Sequence, residues 1–292
     1  MISNLVEVYC LASNLASKID QFLGKTNVGR KPILNRAEYI TLAIIKQERS
    51  IRTNKDLYEL VKYCMYHEFP LFPSYQQFCK GLESNLSYLV LMNQMLCKMN
   101  ISPEETEYIV DSTKLPICKT IYSNSAKLAL GAADYGKNLE GWFFGFKLHI
   151  IINSNMEIVS FKFSKASTSD ISALDGFMTQ DLIGLLFGDK GYISAKKTKE
   201  LLDQNLRLVT RSRKNMAQLP VETLLAKLLY IRQRVETVFG QLKDNFMLIY
   251  GKARSIKSFF SNALSAILAY TLKKKPSLLI DQNQFFSLDS IS

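Results

Sequence analysis

Apolar positions along the chain follow two rhythms. Through the first hundred residues they recur at helical spacing. "NRAEYITLAIIKQE" (35–48) opens on Asn35 with Glu38 three residues on, a capping-box arrangement, and Tyr39, Leu42, Ala43 and Ile45 then recur near helical spacing. "TNKDLYELVKYC" (53–64) and "NLSYLVLMNQMLCKM" (85–99) repeat the pattern, and the proline-bearing "HEFPLFPSYQQF" (67–78) reads as a turn-rich connection between them.

Near residue 105 the rhythm becomes that of strands. "EYIVDST" (107–113) is a short β-type run that ends around Asp111. After a Gly-, Asn- and Lys-rich connection come "GFKLHIIIN" (145–153) and "MEIVSFKFS" (156–164), with "NSN" (153–155) between them as the turn of a hairpin. "TSDISALDGFM" (168–178) then predicts a helix, "DLIGLLFGD" (181–189) a buried strand, "SAKKTKELLDQN" (194–205) a helix and "LRLVTRS" (206–212) a strand. A long helix from Val221 to about Asp244 and another over 256–272 complete the series. This order implies an α/β fold, a mixed sheet flanked by helices, behind a helical N-terminal segment. The expected boundaries are 1–104 for the helical region, 105–275 for the α/β domain and 276–292 for a tail.

Charge narrows the partners. The 292 residues hold 37 Lys and Arg against 26 Asp and Glu, a formal net charge of +11, which favours polyanions and nucleic acid first among them. "GRKP" (29–32) reads as a solvated loop or a phosphate-contacting one. "SFFSNALSAILAYTL" (258–272) is too short and too polar to span a bilayer, and the N-terminus lacks the basic start of a signal peptide. Five cysteines without a CxxC pair and two histidines argue against zinc and for reduced thiols in a cytoplasmic protein.

Three acids carry the candidate chemistry. Asp111 and Asp189 stand at the ends of strands, where α/β folds place ligands, and Glu236 lies in the helix "YIRQRVETVFGQLK" (230–243). An Asp after a strand also serves as an ordinary turn or cap residue. Together the three form a hard-oxygen donor set suited to Mg²⁺ or Mn²⁺, and two such ions support phosphoryl transfer. Arg232, Glu236 and Lys243 fall near one helix face, while Val235, Val238, Phe239 and Leu242 make another that would be buried.

These residues resemble a known family. "VDST", "GDKGY" and "RQRVETVFGQLK" are similar to the three acidic motifs of DDE transposases from bacterial insertion sequences, in the IS4/IS5-like group and nearest the IS982 family. Arg232, Glu236 and Lys243 match that group's R-x3-E-x6-K signature. "GKNLEGWFFGFKLHIIIN" (136–153), "STSDISALDGF" (167–177, including Asp170) and "GKARSIKSFFSNALSAILAYTL" (251–272) resemble further segments, so the likeness runs from about 105 to 272. Position 229 is Leu, with Tyr230 beside it, where the group usually has its tyrosine. Only 46 residues separate Asp189 from Glu236, which leaves no room for a large inserted domain.

The resemblance implies an RNase H-like core and a DNA-binding N-terminal segment. It implies binding to the terminal inverted repeats of the element, metal-assisted cutting at the element ends and joining of the freed 3′-hydroxyls to target DNA. Asp111, Asp189 and Glu236 would hold two Mg²⁺ or Mn²⁺ ions. Lys190, Arg232, Lys243, Lys147, Arg211 and Arg213 would contact double-stranded DNA. His149 reads as a satisfied strand residue, and Trp142 and Phe143 as packing or as a stack for an unpaired base. A homodimer on DNA, in the bacterial cytoplasm and near the nucleoid, is expected with no membrane partner. The alternatives are a catalytically inactive DNA-binding remnant or regulator, and a nuclease that cuts without joining.

Overall fold

A computed structural model of the chain describes residues 5–24, 31–125, 131–138, 141–177, 179–210, 222–250 and 253–280, with the backbone alone over 222–232 and at 280. Its contacts divide the chain into two compact units, Met1–Leu96 with Gln241–Ser292, and Cys97–Gly240.

The first unit is helical. Its elements are α1 (Leu5–Phe22), α2 (Arg36–Glu48), α3 (Asn54–Cys64), α4 (Tyr75–Ser84), most of α5 (Leu86–Met99), the end of α8 (Glu222–Asp244), and α9 (Ile256–Lys274). The cap at Asn35 forms as the sequence predicts: its side chain accepts from the Glu38 amide, and the Glu38 carboxylate accepts from the Asn35 amide in return. Thr53 with Asp56 and Ser74 with Gln77 repeat that device, so three helix starts are fixed by local sequence.

The sequence reading names no element before residue 35. Yet α1 buries Val8, Leu11, Ala12, Leu15, Ala16 and Ile19, a stripe at helical spacing. A core of Leu34, Tyr39, Leu42, Leu57, Val61, Phe78 and Leu82 joins α2, α3 and α4. Gly81 is there because Tyr39 leaves no space: a Cβ at that position would stand 2.1 Å from the ring. The apolar helix α9 is buried almost throughout and packs with α2 and α4, so by contacts it groups with the N-terminal helices, whereas the sequence reading assigned it to the α/β domain.

The second unit holds the sheet, made of β1 (Glu107–Cys118), β2 (Asp134–Asn138), β3 (Gly141–Asn153), β4 (Ile158–Lys165), β5 (Gly184–Gly188) and β6 (Leu206–Thr210). β3 lies antiparallel beside β1, and β4 and β2 pair in succession along its outer edge. On the other side of β1 come β5 and β6, both parallel. The order β4-β3-β1-β5-β6 makes this the RNase H-like mixed sheet that the resemblance implies. The β3–β4 turn is closed by Asn153, whose Oδ1 accepts from the amides of Asn155 and Glu157.

Two expectations change. β1 does not end near Asp111 but continues to Cys118, because Thr113, Leu115 and Ile117 alternate as buried positions, the first two paired to β3. Pro116 hides that alternation in the sequence, and it sits where the ladder becomes irregular. The helix over 168–178 shrinks to α6 (Asp170–Ala173), ended by Gly176 at a φ of +89°. After β5 the chain makes a 3-10 turn at Lys190–Tyr192, followed by α7 (Ala195–Leu202). Tyr108, Val110, Ile151, Leu186, Tyr192, Leu206 and Leu208 form the core on one face of the sheet.

Candidate active site

The parallel ladder between β1 and β5 decides where the two aspartates stand. Glu107, Tyr108 and Ile109 pair with Leu185, Leu186 and Phe187. Continuing that register by two residues on each strand brings Asp111 level with Asp189. Both lie just past the last pair, at the C-terminal end of the ladder. Gly188 permits the approach, since a Cβ there would stand 3.2 Å from Val110 Cγ1 and from the Tyr192 ring.

Local hydrogen bonds hold each carboxylate. Asp111 is half-buried, and its Oδ1 accepts from the Ser112 amide at 2.7 Å. Asp189 is exposed, caps the 3-10 turn and accepts from the Gly191 amide at 2.7 Å. The ordinary cap role and the position at the ladder's end therefore coexist in one residue.

A third aspartate joins them. Asp170, the first residue of α6, accepts at Oδ1 from Ser112 Oγ at 3.0 Å and from Lys147 Nζ at 3.1 Å. A Cβ added to Gly191 would meet Asp189 Oδ1 at 2.9 Å and Asp170 Oδ2 at 3.1 Å, so the two carboxylates converge on that glycine. Tyr192 is fully buried beside them. Burial first, then the charges of Asp111, Asp170 and Asp189, raise its phenol well above the ordinary value. Its hydroxyl makes no well-formed hydrogen bond among the described residues, and the Ser112 side chain partly offsets the rise.

His149 is fully buried on β3, with Nε2 at 2.8 Å from Ser164 Oγ. Burial lowers its imidazole to about 4 against the partial opposition of Asp170, with Lys147 and Lys162 adding to the fall. It is a neutral strand residue, though not the satisfied one the sequence reading expects, because Nδ1 has no hydrogen-bond partner among the described residues.

Glu236 stands exposed on α8, one turn of which is anchored by Arg234 Nη1 donating to the Ser154 carbonyl at 2.8 Å. Val235, Val238, Phe239 and Leu242 are buried, as their spacing predicts. Among the described residues no three His, Cys, Asp or Glu side chains are close enough to share one ion. The chemistry of the donors nonetheless fits a hard cation. Asp111 stands level with Asp189, Asp170 and Asp189 converge on Gly191, and among the described residues Lys147 forms an ion pair with Asp170 beside them.

The basic candidates separate. Lys190 is exposed beside Asp189. Lys147 directs its ammonium inward, to Asp170 and to the Thr168 carbonyl at 2.9 Å, rather than toward solvent. Lys243 is half-buried and belongs with the helical unit. Arg211 and Arg213 lie outside the described residues, as do Gly29 and Arg30 of "GRKP" and the side chains of Arg232 and Tyr230. Phe143 is buried, whereas Trp142 is exposed with Lys137 Nζ 5.7 Å from its ring. Sequence reasoning missed the parts played by Ser112, Arg234 and Tyr192. The tyrosine stood inside the quoted "GDKGY", and only the fold shows that it is buried under the acids.

Residues 102–256, more than half of the chain, match the family model described as the transposase DDE domain. The chain belongs to the DDE transposase family. The matched span of this DDE-domain chain contains Asp111, Asp170, Asp189 and Glu236. No curated protein matches it in sequence. Among solved structures it is similar to the piggyBac transposase in a synaptic complex with hairpin DNA, at 9% identity and a TM-score of 0.49, over 99% of this chain and 76% of that one. It is also similar to a pre-cleavage Mos1 transpososome, at 12% identity and a TM-score of 0.23, over 92% and 86% of the two chains. The fold assignment rests on the strand order itself. Among the described residues no helix is long and apolar enough to cross a membrane, and the five cysteines form no disulfide.

Proposed function

We propose that this chain is the transposase of a bacterial insertion sequence, in the IS4/IS5-like group near the IS982 family. On this reading it binds the element's terminal inverted repeats, cuts DNA at the element ends and joins the 3′-hydroxyl ends to target DNA, acting as a homodimer on DNA. The observation that carries the catalytic part is the common level of Asp111 and Asp189 at the end of the β1–β5 ladder.

Asp111, Asp189 and Glu236 are the residues that would hold two Mg²⁺ or Mn²⁺ ions. Such ions would supply charge stabilisation for the attacking and departing oxygens and a lowered pKa for the attacking hydroxyl. The Ser112 and Gly191 amides orient the two aspartates by occupying one oxygen of each. Arg234 holds α8 to the β3–β4 turn and so limits where Glu236 can reach. Lys190, exposed next to Asp189, is placed to bind a backbone phosphate of the strand being cut. Arg232, Lys243, Arg211 and Arg213 are further phosphate contacts on this reading, and the +11 net charge favours the duplex as a whole.

The test is cleavage of linear DNA that carries this gene in its native flanks. Purified protein is incubated with it in Mg²⁺ or in Ca²⁺, and breaks are mapped by sequencing. Mg²⁺-dependent breaks at two matching inverted ends, followed by joined products, support the proposal. Breaks without joining would mark a nuclease, and binding without breaks would mark a regulator or an inactive copy.

A further inference from the structure

We infer that Asp170 is a positioning residue, which sets the spacing between Asp111 and Asp189 by tying together three parts of the sheet's edge. This rests on the reading of those two aspartates as metal-holding residues.

Strand alternation makes the need for such a residue visible. Ser112 and Asp111 are successive on β1 and so point to opposite faces of the sheet. Ser112 shares its face with His149, its partner across the β1–β3 ladder, and with Lys147 two residues away on β3. Asp170 is applied to that face from α6. Its Oδ1 receives both Ser112 Oγ and Lys147 Nζ, which ties β1 to β3 through one oxygen. Its Oδ2 faces Gly191, in the turn that begins at Asp189. One carboxylate therefore bonds the residue after Asp111 and a side chain of β3, and lies close enough to the turn that carries Asp189 to crowd a Cβ at Gly191.

Asp170 is itself well anchored. Ser169 caps α6 by accepting from the Ser172 amide, and the partner Lys147 is fixed a second time by the Thr168 carbonyl. The surroundings leave few ways for Asp170 to turn aside. His149, with no solvent exposure, brings Nδ1 to 3.9 Å from the same Oδ1, and that nitrogen has no hydrogen-bond partner among the described residues. Buried polar groups directed at one carboxylate oxygen reward a single placement of that oxygen.

The role differs from that of a metal ligand. Oδ1 is engaged by an ammonium and a hydroxyl, and an ammonium beside a carboxylate competes with a divalent cation for it. The action on the ions passes through Ser112, whose amide holds Asp111 Oδ1, and through the Gly191 turn, whose amide holds Asp189 Oδ1. Outer partners of this kind typically alter metal affinity by about 10–100-fold when removed.

Mn²⁺ titration of the full-length protein, with free ion counted by electron paramagnetic resonance, tests this without reference to cleavage. Asp170→Asn is expected to weaken Mn²⁺ binding about tenfold while the number of ions bound stays at the wild-type value. Ser112→Ala, which removes a single hydroxyl and carries little folding risk, is expected to weaken it in the same direction. Cleavage assayed in parallel should need correspondingly more Mg²⁺ and recover near the wild-type rate when Mg²⁺ saturates. An unchanged affinity in both variants would overturn the positioning role. A lower ion count in Asp170→Asn would overturn it in favour of direct ligation. Wild-type protein that takes up no Mn²⁺, or Asp189→Asn protein that takes up as much as wild type, would overturn the metal-centre reading itself, and the inference with it.

Discussion

Asp111 and Asp189 stand level with one another on neighbouring parallel strands, each two residues beyond the last pair of their ladder, Ile109 with Phe187. Neither residue is unusual in its own segment. One lies inside a long strand, and the other caps a short turn. The ladder register makes them a pair, and the consequences can be checked one at a time.

Gly191→Ala is the smallest change that should separate the carboxylates. The new methyl would stand about 3 Å from Asp189 Oδ1 and Asp170 Oδ2, and one or both must move. Misplacement on the scale of an ångström costs on the order of 100-fold in a positioned reaction. We expect Mg²⁺-dependent cleavage to fall by about 10–100-fold while DNA binding and the thermal midpoint stay near wild type. Unchanged cleavage would show that the convergence on Gly191 has no catalytic weight.

Tyr192→Phe should leave the fold as stable or stabilise it. The hydroxyl is buried, feels the charges of Asp111, Asp170 and Asp189, and makes no well-formed hydrogen bond among the described residues, and a buried unsatisfied group costs about 1–3 kcal/mol. Urea unfolding is expected to show a gain of up to about 1 kcal/mol. A loss of that size would mean that the Ser112 hydroxyl bonds the phenol strongly.

His149 makes stability depend on pH. Its imidazole titrates near 4 in the folded protein against an ordinary 6.5, chiefly through burial. As pH falls the unfolded chain takes up the proton first. The contribution is therefore whole above about 6.5 and declines from there toward 4, by up to about 3 kcal/mol. His149→Gln should flatten the slope between pH 6.5 and 5. A histidine resonance titrating at the ordinary value would contradict the assignment.

Lys46 gives the helical unit a dependence of the same sign at higher pH. It is buried, donates to Asn262 Oδ1 at 2.7 Å, and is lowered to about 8 by burial, against the pull of Asp56. The folded state loses this proton before the unfolded one as pH rises. Stability should accordingly grow between pH 8 and about 10. Lys46→Met should remove that growth, and a slope that survives the substitution would assign it to another group.

Much of this was legible in the sequence, and the parts that were not share a cause. Local signals read true: the cap at Asn35, the Asn153 turn, and the buried stripe Val235, Val238, Phe239 and Leu242 on α8. Each depends on residues within a few positions of one another. The true length of β1 was hidden because its second half pairs only with β3, across an interval of sequence that no window spans. Lys147 looked like a phosphate contact because charge alone is visible in a sequence. Its inward course to Asp170 depends on α6, which lies beyond the next strand. The three acids were singled out by motif. That Asp170 bonds the residue after Asp111 and approaches the turn of Asp189 is a matter of tertiary placement.

The central claim is that Asp111 and Asp189 form the catalytic pair of a DNA-cutting transposase. The most direct measurement compares wild type with Asp111→Asn and Asp189→Asn, assaying binding to the element ends by mobility shift and cleavage of the same DNA in Mg²⁺. The account predicts that both variants bind as wild type does and that neither cuts. Cleavage by either variant at the wild-type rate would contradict it.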